Sequence, residues 1–247
     1  MTRFRITLEY DGTDLIGWQE NRQGPSVQSV LRDAIYAFCG VRPDVVAAGR
    51  TDAGVHAIAM VAHFDLPGDY TANTVMRAVN FYLVGQPVAI LSCDIVPDDF
   101  NARFDCVARH YKYIVLNRSA APVLNKNRVW WVPRALDVAA MRNAATRLVG
   151  HHDFTSFRAT QCQAKSPIKT LDVCNITADG DNIIFEFSAR SFLHHQVRNM
   201  VGTLVEIGLG KPYDIDEIFA ARARSAAGPT APASGLYFIS ADYATDD

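Results

Sequence analysis

The sequence predicts an α+β fold of two similar α/β halves. Three observations point there. Short apolar or alternating segments fall near residues 4–10, 56–65, 111–115 and 183–187, the pattern of strands. Apolar residues recur at spacings of three and four near 27–38, 74–83, 138–148 and 192–209, the pattern of amphipathic helices. The two kinds of segment follow one another as strand, helix, strand, helix in each half of the chain, a repeat of element order with little residue identity. At 247 residues the chain can bury a substantial core as one large domain or two small ones. The expected division is 1–105 and 106–247, with the join near residues 97–108.

Each element has a local cause. Phe4, Ile6, Leu8 and Tyr10 alternate along the first strand, and Asp11-Gly12-Thr13 reads as the turn that ends it. Val27, Val30, Leu31, Ala34, Ile35 and Phe38 line one helix face, with Pro25 and Ser26 suited to its start and Gly40 to its end. His56 to Asp65 is an apolar strand, and Thr74 to Leu83 a second helix. In the second half Tyr111, Tyr113 and Val115 alternate. Asp137 is placed to cap a helix whose apolar side is Val138, Met141, Ala145 and Leu148. Residues 183–187 form a strand, and Phe192 to Leu209 a long helix. Residues 228–233 are the most loop-like stretch.

Hydrophobic residues make up 49% and charged residues 20%, a globular composition that argues against disorder. Five cysteines, Cys39, Cys93, Cys106, Cys162 and Cys174, are widely spaced and form no CxxC pair, so a disulfide scaffold or cysteine-rich zinc site is not expected. Residues 1–10 lack the apolar core of a signal peptide, and no run of 18 apolar residues occurs. The expectation is a cytoplasmic protein with reduced thiols and no membrane span.

The net charge of −2 hides an uneven distribution. Residues 101–134 carry Arg103, Arg109, Lys112, Arg118, Lys126, Arg128 and Arg134 against Asp105, a net of +6, whereas 61–100 and 205–247 are each −4. The positive block also holds His110, Tyr111, Tyr113, Trp130 and Trp131. Cations interleaved with flat rings suit a nucleic acid, with charge for phosphates and faces for bases.

Two stretches have the composition of a reactive site. In Gly49-Arg50-Thr51-Asp52-Ala53-Gly54-Val55-His56-Ala57, two glycines bracket a cation, a hydroxyl and a carboxylate just before an apolar strand, which presents Asp52 on a tight loop. In Phe192–Gly202, polar residues interrupt an apolar helix. Arg198 lies three and four positions after His195 and His194, so one helix face is expected to carry an imidazole and the guanidinium together. A shielded guanidinium needs an anionic partner, and Asp52 is a candidate. Neither HExxH nor a Walker, GxGxxG or GxSxG pattern occurs, so the sequence calls for no metal, nucleotide cofactor or serine nucleophile.

Eight stretches, in order over nearly the whole chain, resemble the tRNA pseudouridine synthase A family. They are Tyr10-Asp11-Gly12-Thr13 with Gly17-Trp18-Gln19; the Gly49–Ala57 loop; Phe100-Asn101-Ala102-Arg103-Phe104; Arg109-His110-Tyr111-Lys112-Tyr113; His152-Asp153-Phe154-Thr155-Ser156-Phe157; Ser166-Pro167-Ile168-Lys169-Thr170; the Phe192–Gly202 stretch; and Ala231-Pro232-Ala233-Ser234-Gly235-Leu236-Tyr237.

The resemblance implies two ferredoxin- or RRM-like halves in a pseudo-two-fold relation about a central RNA-binding cleft. It implies a cytoplasmic, homodimeric isomerase that converts uridine to pseudouridine in the anticodon stem-loop of tRNA without a cofactor. By the same resemblance Asp52 is the catalytic aspartate, as nucleophile or as base. Arg50 holds the flipped-out state, Tyr111 stacks on the target base, Arg198 pairs with Asp52, and Leu236 lines the pocket. Trp18 stands where phenylalanine is common in the family. Ala189-Arg190-Ser191 and Ile239-Ser240-Ala241-Asp242-Tyr243 are more polar than expected, which bears on RNA contacts and on the packing of the last strand. Two other readings compete: a non-catalytic RNA-binding protein on the same scaffold, and a hydrolase. The hydrolase ranks last because glycosidases use two cooperating carboxylates and no second acid stands in a comparable motif.

Overall fold

The computed structural model describes residues 1–244 and shows a mixed α+β chain in two compact units. The first comprises Met1–Arg109 and the final strand from Tyr237 onward; the second is His110–Leu236.

In the first unit, β1 (Thr2–Tyr10) pairs antiparallel with both β3 (His56–Leu66) and β4 (Val88–Val96). The short β2 (Val46–Ala47) joins β3. The last strand, which becomes β11 (Leu236–Tyr243) in chain order, runs parallel to β3 with Tyr237 opposite His56. The strand order is therefore β4-β1-β3-β11.

Helices α1 (Val27–Cys39) and α2 (Ala72–Leu83) supply the apolar side chains expected of them. Val27, Leu31, Ala34 and Ile35 of α1 and Val75, Val79 and Leu83 of α2 are buried, as are Phe4, Ile6, Leu8 and Tyr10 of β1. Each such Val, Leu, Ile or Phe contributes about 1.5–3 kcal/mol. Ser26 and Ser29 form a reciprocal capping box at the start of α1, and Gly40 closes it in the left-handed region. At the free edge of β4, the Asn80 side chain donates to Ile90 O and accepts from Ile90 N–H, each at 2.8 Å, and so covers an open strand edge.

Strand β5 (Cys106–Leu116) begins in the first unit and ends in the second. There β5, β10 (Asn182–Ala189) and β9 (Val173–Asp179) lie in that order, with β6 (Trp130–Trp131) parallel to the end of β5. Strands β7 (Gly150–Asp153) and β8 (Ile168–Leu171) form a separate antiparallel ribbon. Helix α3 (Val138–Thr146) is capped by Asp137, whose carboxylate accepts from Ala140 N–H at 2.9 Å. It packs on α4 (Gln196–Gly208) and on β9, and α5 (Ile215–Ala221) follows. Tyr113, Met141, Phe185, Phe187, Val201 and Leu204 form the core of this unit.

The helix expected from Phe192 starts four residues later. His195 takes a left-handed backbone (φ 63°), and the Gln196 side chain accepts from Leu193 N–H at 2.8 Å. Among the described residues, no helix is long and apolar enough to cross a membrane.

Candidate active site

The Asp52 loop is held by main chain. Gly17 and Asp52 form an antiparallel bridge. Trp18 N–H donates to Thr51 O at 3.0 Å, and Gly54 N–H to Leu15 O at 3.3 Å. Val55 N–H closes the turn onto Asp52 O at 3.2 Å. The approach of the two segments requires glycine. Gly17 has φ +102°, and a Cβ there would lie 2.6 Å from Thr51 O and 3.0 Å from Asp52 C. Side chains assist: the Tyr10 hydroxyl bonds Thr51 Oγ1 at 2.8 Å.

Below the turn His56 is buried, accepts from Gly12 N–H through Nδ1 at 3.1 Å and stacks on Tyr237 with centroids 4.9 Å apart. The outcome is a buried Thr51, a half-buried Asp52 and an exposed Arg50.

Arg109 is structural. It is buried, and its guanidinium donates to Ala48 O (2.8 Å) and Arg103 O (2.7 Å). That removes it from the set of exposed cations that the basic block offers to phosphates. Arg103, Lys126, Arg128 and Arg134 remain exposed and Lys112 half-exposed, while Arg118 is paired with Asp181 at 3.3 Å. Trp131 is exposed, with its indole N–H donating to Arg118 O at 2.8 Å.

In the second unit Tyr111 is half-buried on β5, edge-on to Phe192 with centroids 5.1 Å apart. Its neighbour Tyr113 is fully buried and donates to Pro232 O at 2.7 Å. Burial pushes the Tyr113 phenol pKa up, which leaves it a structural hydroxyl.

Arg198 sits in the first turn of α4, its Nε donating to Ala231 O at 2.8 Å, while Ala231 N–H donates back to Arg198 O at 3.1 Å. His194 and His195 precede α4 rather than lie on it, and His195 takes a left-handed backbone. Leu236 is buried at the start of β11. Asp52 and Arg50 thus belong to the first unit, and Tyr111, Arg198 and Leu236 to the second.

All five cysteines are free thiols. Burial pushes Cys93 and Cys174 up to about 12, far from the range of a nucleophilic thiolate. Sequence reasoning missed a polar cluster around Arg224, described below. Arg224 opens a three-residue 3-10 helix (Arg224–Ala226), too short for any periodicity to mark it.

The comparisons with known proteins agree with the eight motifs. A family model described as tRNA pseudouridine synthase matches residues 144–244. A tRNA pseudouridine synthase A of Paramagnetospirillum magneticum is 53% identical over 98% of this chain and 96% of its own length. Its counterpart in Rhodospirillum centenum is 54% identical over 98% of this chain and all of its own. One from Rhodopseudomonas palustris is 52% identical over the same shares. A crystal structure of a Cbf5-Nop10-Gar1 complex is similar with a TM-score of 0.40 and 9% identity, covering 96% of this chain and 49% of that one, a likeness too slight to bear on function. With more than half of its residues shared over almost its full length, the chain belongs to the tRNA pseudouridine synthase A family.

Proposed function

We propose that the protein isomerises uridine to pseudouridine in the anticodon stem-loop of tRNA, with Asp52 as its catalytic carboxylate. The observation that carries this reading is the Asp52 loop. A half-buried carboxylate sits on a turn held by main-chain bonds from two sides, the rigidity that positioned catalysis needs. A protein that only bound RNA has no use for an acid displayed beside Arg50, because a carboxylate repels phosphate.

The reaction breaks the N1–C1′ bond, turns the base and joins C5 to C1′. The hydrogen on C5 leaves as a proton and N1 gains one, so electrons balance within the substrate. Asp52 acts either by attacking C1′ or by removing a sugar proton to give a glycal. A stacked base is out of reach, so the uridine flips out at a cost of a few kcal/mol.

Arg50, exposed next to Asp52, is assigned to holding the flipped-out state. Tyr111, braced edge-on by Phe192, is assigned to stacking on the base, Leu236 to the pocket wall, and Arg198 to pairing with the Asp52 charge. The exposed cations of residues 103–134 are assigned to phosphates, so affinity for tRNA falls as salt rises. A homodimer working in the cytoplasm completes the reading, which the family motifs and five free thiols support.

The test is tritium release. tRNA carrying tritium at C5 of its uridines is incubated with wild type and with Asp52→Ala, and tritium in water is counted. Release by wild type alone supports the assignment. Tight binding with no release by folded wild type would support the non-catalytic reading, and free uracil would revive the hydrolase.

A further inference from the structure

We infer that Arg224 is a positioning residue for the reaction: it straps residues 227–231 against α4 so that the Ala231 carbonyl fixes the plane of the Arg198 guanidinium. This rests on the proposed role of Arg198.

The strap is tied at every step. Arg224 Nη1 donates to Gly228 O (2.8 Å) and Ala227 O (3.3 Å), and Nη2 to Asn199 Oδ1 and Thr230 Oγ1, each at 3.0 Å. Thr230 Oγ1 donates to the same Asn199 Oδ1 at 2.6 Å. Asn199 is fully buried in α4 and anchors its amide on Phe157 O at 2.8 Å. Gly228 N–H bonds Thr203 Oγ1 at 3.0 Å. The backbones meet so closely that a Cβ on Gly202 would lie 1.7 Å from Pro229 O. The strap ends at Ala231, bonded both ways to Arg198, and at Pro232, held by the Tyr113 hydroxyl.

Two physical points assign the strap to positioning. The Nε–H of an arginine lies in the plane of its guanidinium, so the bond to Ala231 O sets the direction in which both terminal nitrogens of Arg198 face. Moreover, the four oxygens bonded to Arg224 are all neutral. Among the described residues no carboxylate bonds this cation, and burial pulls its pKa down. What an arginine supplies at such a place is a rigid fork reaching four acceptors, which neither lysine nor an apolar side chain can reproduce.

The test compares Arg224→Met, Arg224→Lys, Arg198→Lys and the double variant Arg198→Lys/Arg224→Met by steady-state tritium release, which gives kcat and KM, and by tRNA binding. A misplacement of a functional group by about 1 Å costs up to about 100-fold. Arg224→Met is therefore expected to lower kcat by about 10- to 100-fold while KM for tRNA stays within about twofold. Arg224→Lys recovers little of this. The double variant falls within about threefold of Arg198→Lys alone, since both changes act through one group.

Losses that multiply in the double variant overturn the inference, as does a raised KM with kcat unchanged. If Arg198→Lys is fully active, the role of Arg198 fails and the strap has nothing to position. If Arg198→Lys is impaired but Arg224→Met is not, only the inference fails. Circular dichroism melts check folding. Should Arg224→Met not fold, Thr230→Val, which removes one hydroxyl of the cluster, takes its place with the same expected loss of kcat. If neither folds, the cluster serves the fold alone and the inference is wrong.

Discussion

The region around Asp52 in the first unit and the region around Arg198 in the second are stabilised in different ways. Around Asp52 main-chain bonds fasten the turn to residues 15–18, with Tyr10 and His56 adding side-chain bonds. Around Arg198 side chains supply most of the bonds: Arg224, Asn199, Thr203 and Tyr113 bond main chain, and Thr230 bonds the Asn199 side chain. A loop held by backbone tolerates substitution wherever a Cβ fits and fails where one does not. A strap held by side chains fails at each of them, because every deletion leaves a shielded donor or acceptor unpaired at about 1–3 kcal/mol. The carboxylate is thus placed by geometry that few substitutions reach, and the guanidinium by a network that many do.

The largest expected effect tests whether the rigid loop serves chemistry. Asp52→Asn preserves the size and the main-chain bonds yet removes the charge, and tritium release should fall by about 10,000-fold or more. Circular dichroism and tRNA affinity should stay near wild type. A variant with substantial turnover would leave the loop rigid without a catalytic reason. Next comes Arg198→Lys, which keeps the charge and loses the planar fork. A fall in kcat of about 100-fold is expected, measured in the same assay; full activity would show that the point charge suffices.

A smaller effect separates glycine from side chain within the first region. Gly17→Ala places a Cβ 2.6 Å from Thr51 O at a positive φ, and should destabilise by about 1–3 kcal/mol with a parallel loss of turnover. Tyr10→Phe removes the side-chain bond to Thr51 and should cost about 1 kcal/mol. Urea titrations of both variants rank them. Equal costs would mean that the main chain does not dominate this loop.

How much of this was legible follows the range of the forces. The α1 helix was readable because its caps, Ser26 and Gly40, and its apolar face lie within a few residues of one another; Asp137 and α3 are the same case. Strand β4 was not, since only Val88 and Ile90 are buried while Leu91 and Ile95 face out, which blurs the alternation. Strand β9 has the same defect, with Ile176 alone buried. The start of α4 was misplaced because Phe192 and Leu193 continue the helical spacing, while the side chain of Gln196 and the left-handed His195 stop it. The return of β11 to β3 is a pairing across 180 residues between Tyr237 and His56, and periodicity carries no information at that range. The Asp52 loop stood out through its two glycines, whereas Arg224 needed the folded strap to have a meaning.

The smallest expected effect probes a segment of the first unit that is held as the strap is, by side chains. Residues 100–103 are tied down by Arg3 Nη1 on Phe100 O (2.9 Å), Tyr243 on Ala102 O (2.6 Å), Arg109 on Arg103 O (2.7 Å), and buried His63, whose Nδ1 accepts from Ala102 N–H at 3.1 Å. Burial first, and then the charge of Arg3, hold His63 below the usual histidine pKa. The unfolded chain therefore takes up this proton at a higher pH than the folded one. The contribution of His63 to stability is complete above about pH 6.5, the unfolded value, and is lost as pH falls through the depressed folded value. Protonated Nδ1 would also face the Ala102 N–H as a second donor. Between pH 7 and pH 5 the Tm of wild type should drop more than that of His63→Gln. Parallel slopes in the two melts would mean that the Ala102 bond survives protonation, and that this segment too is fixed by its main chain.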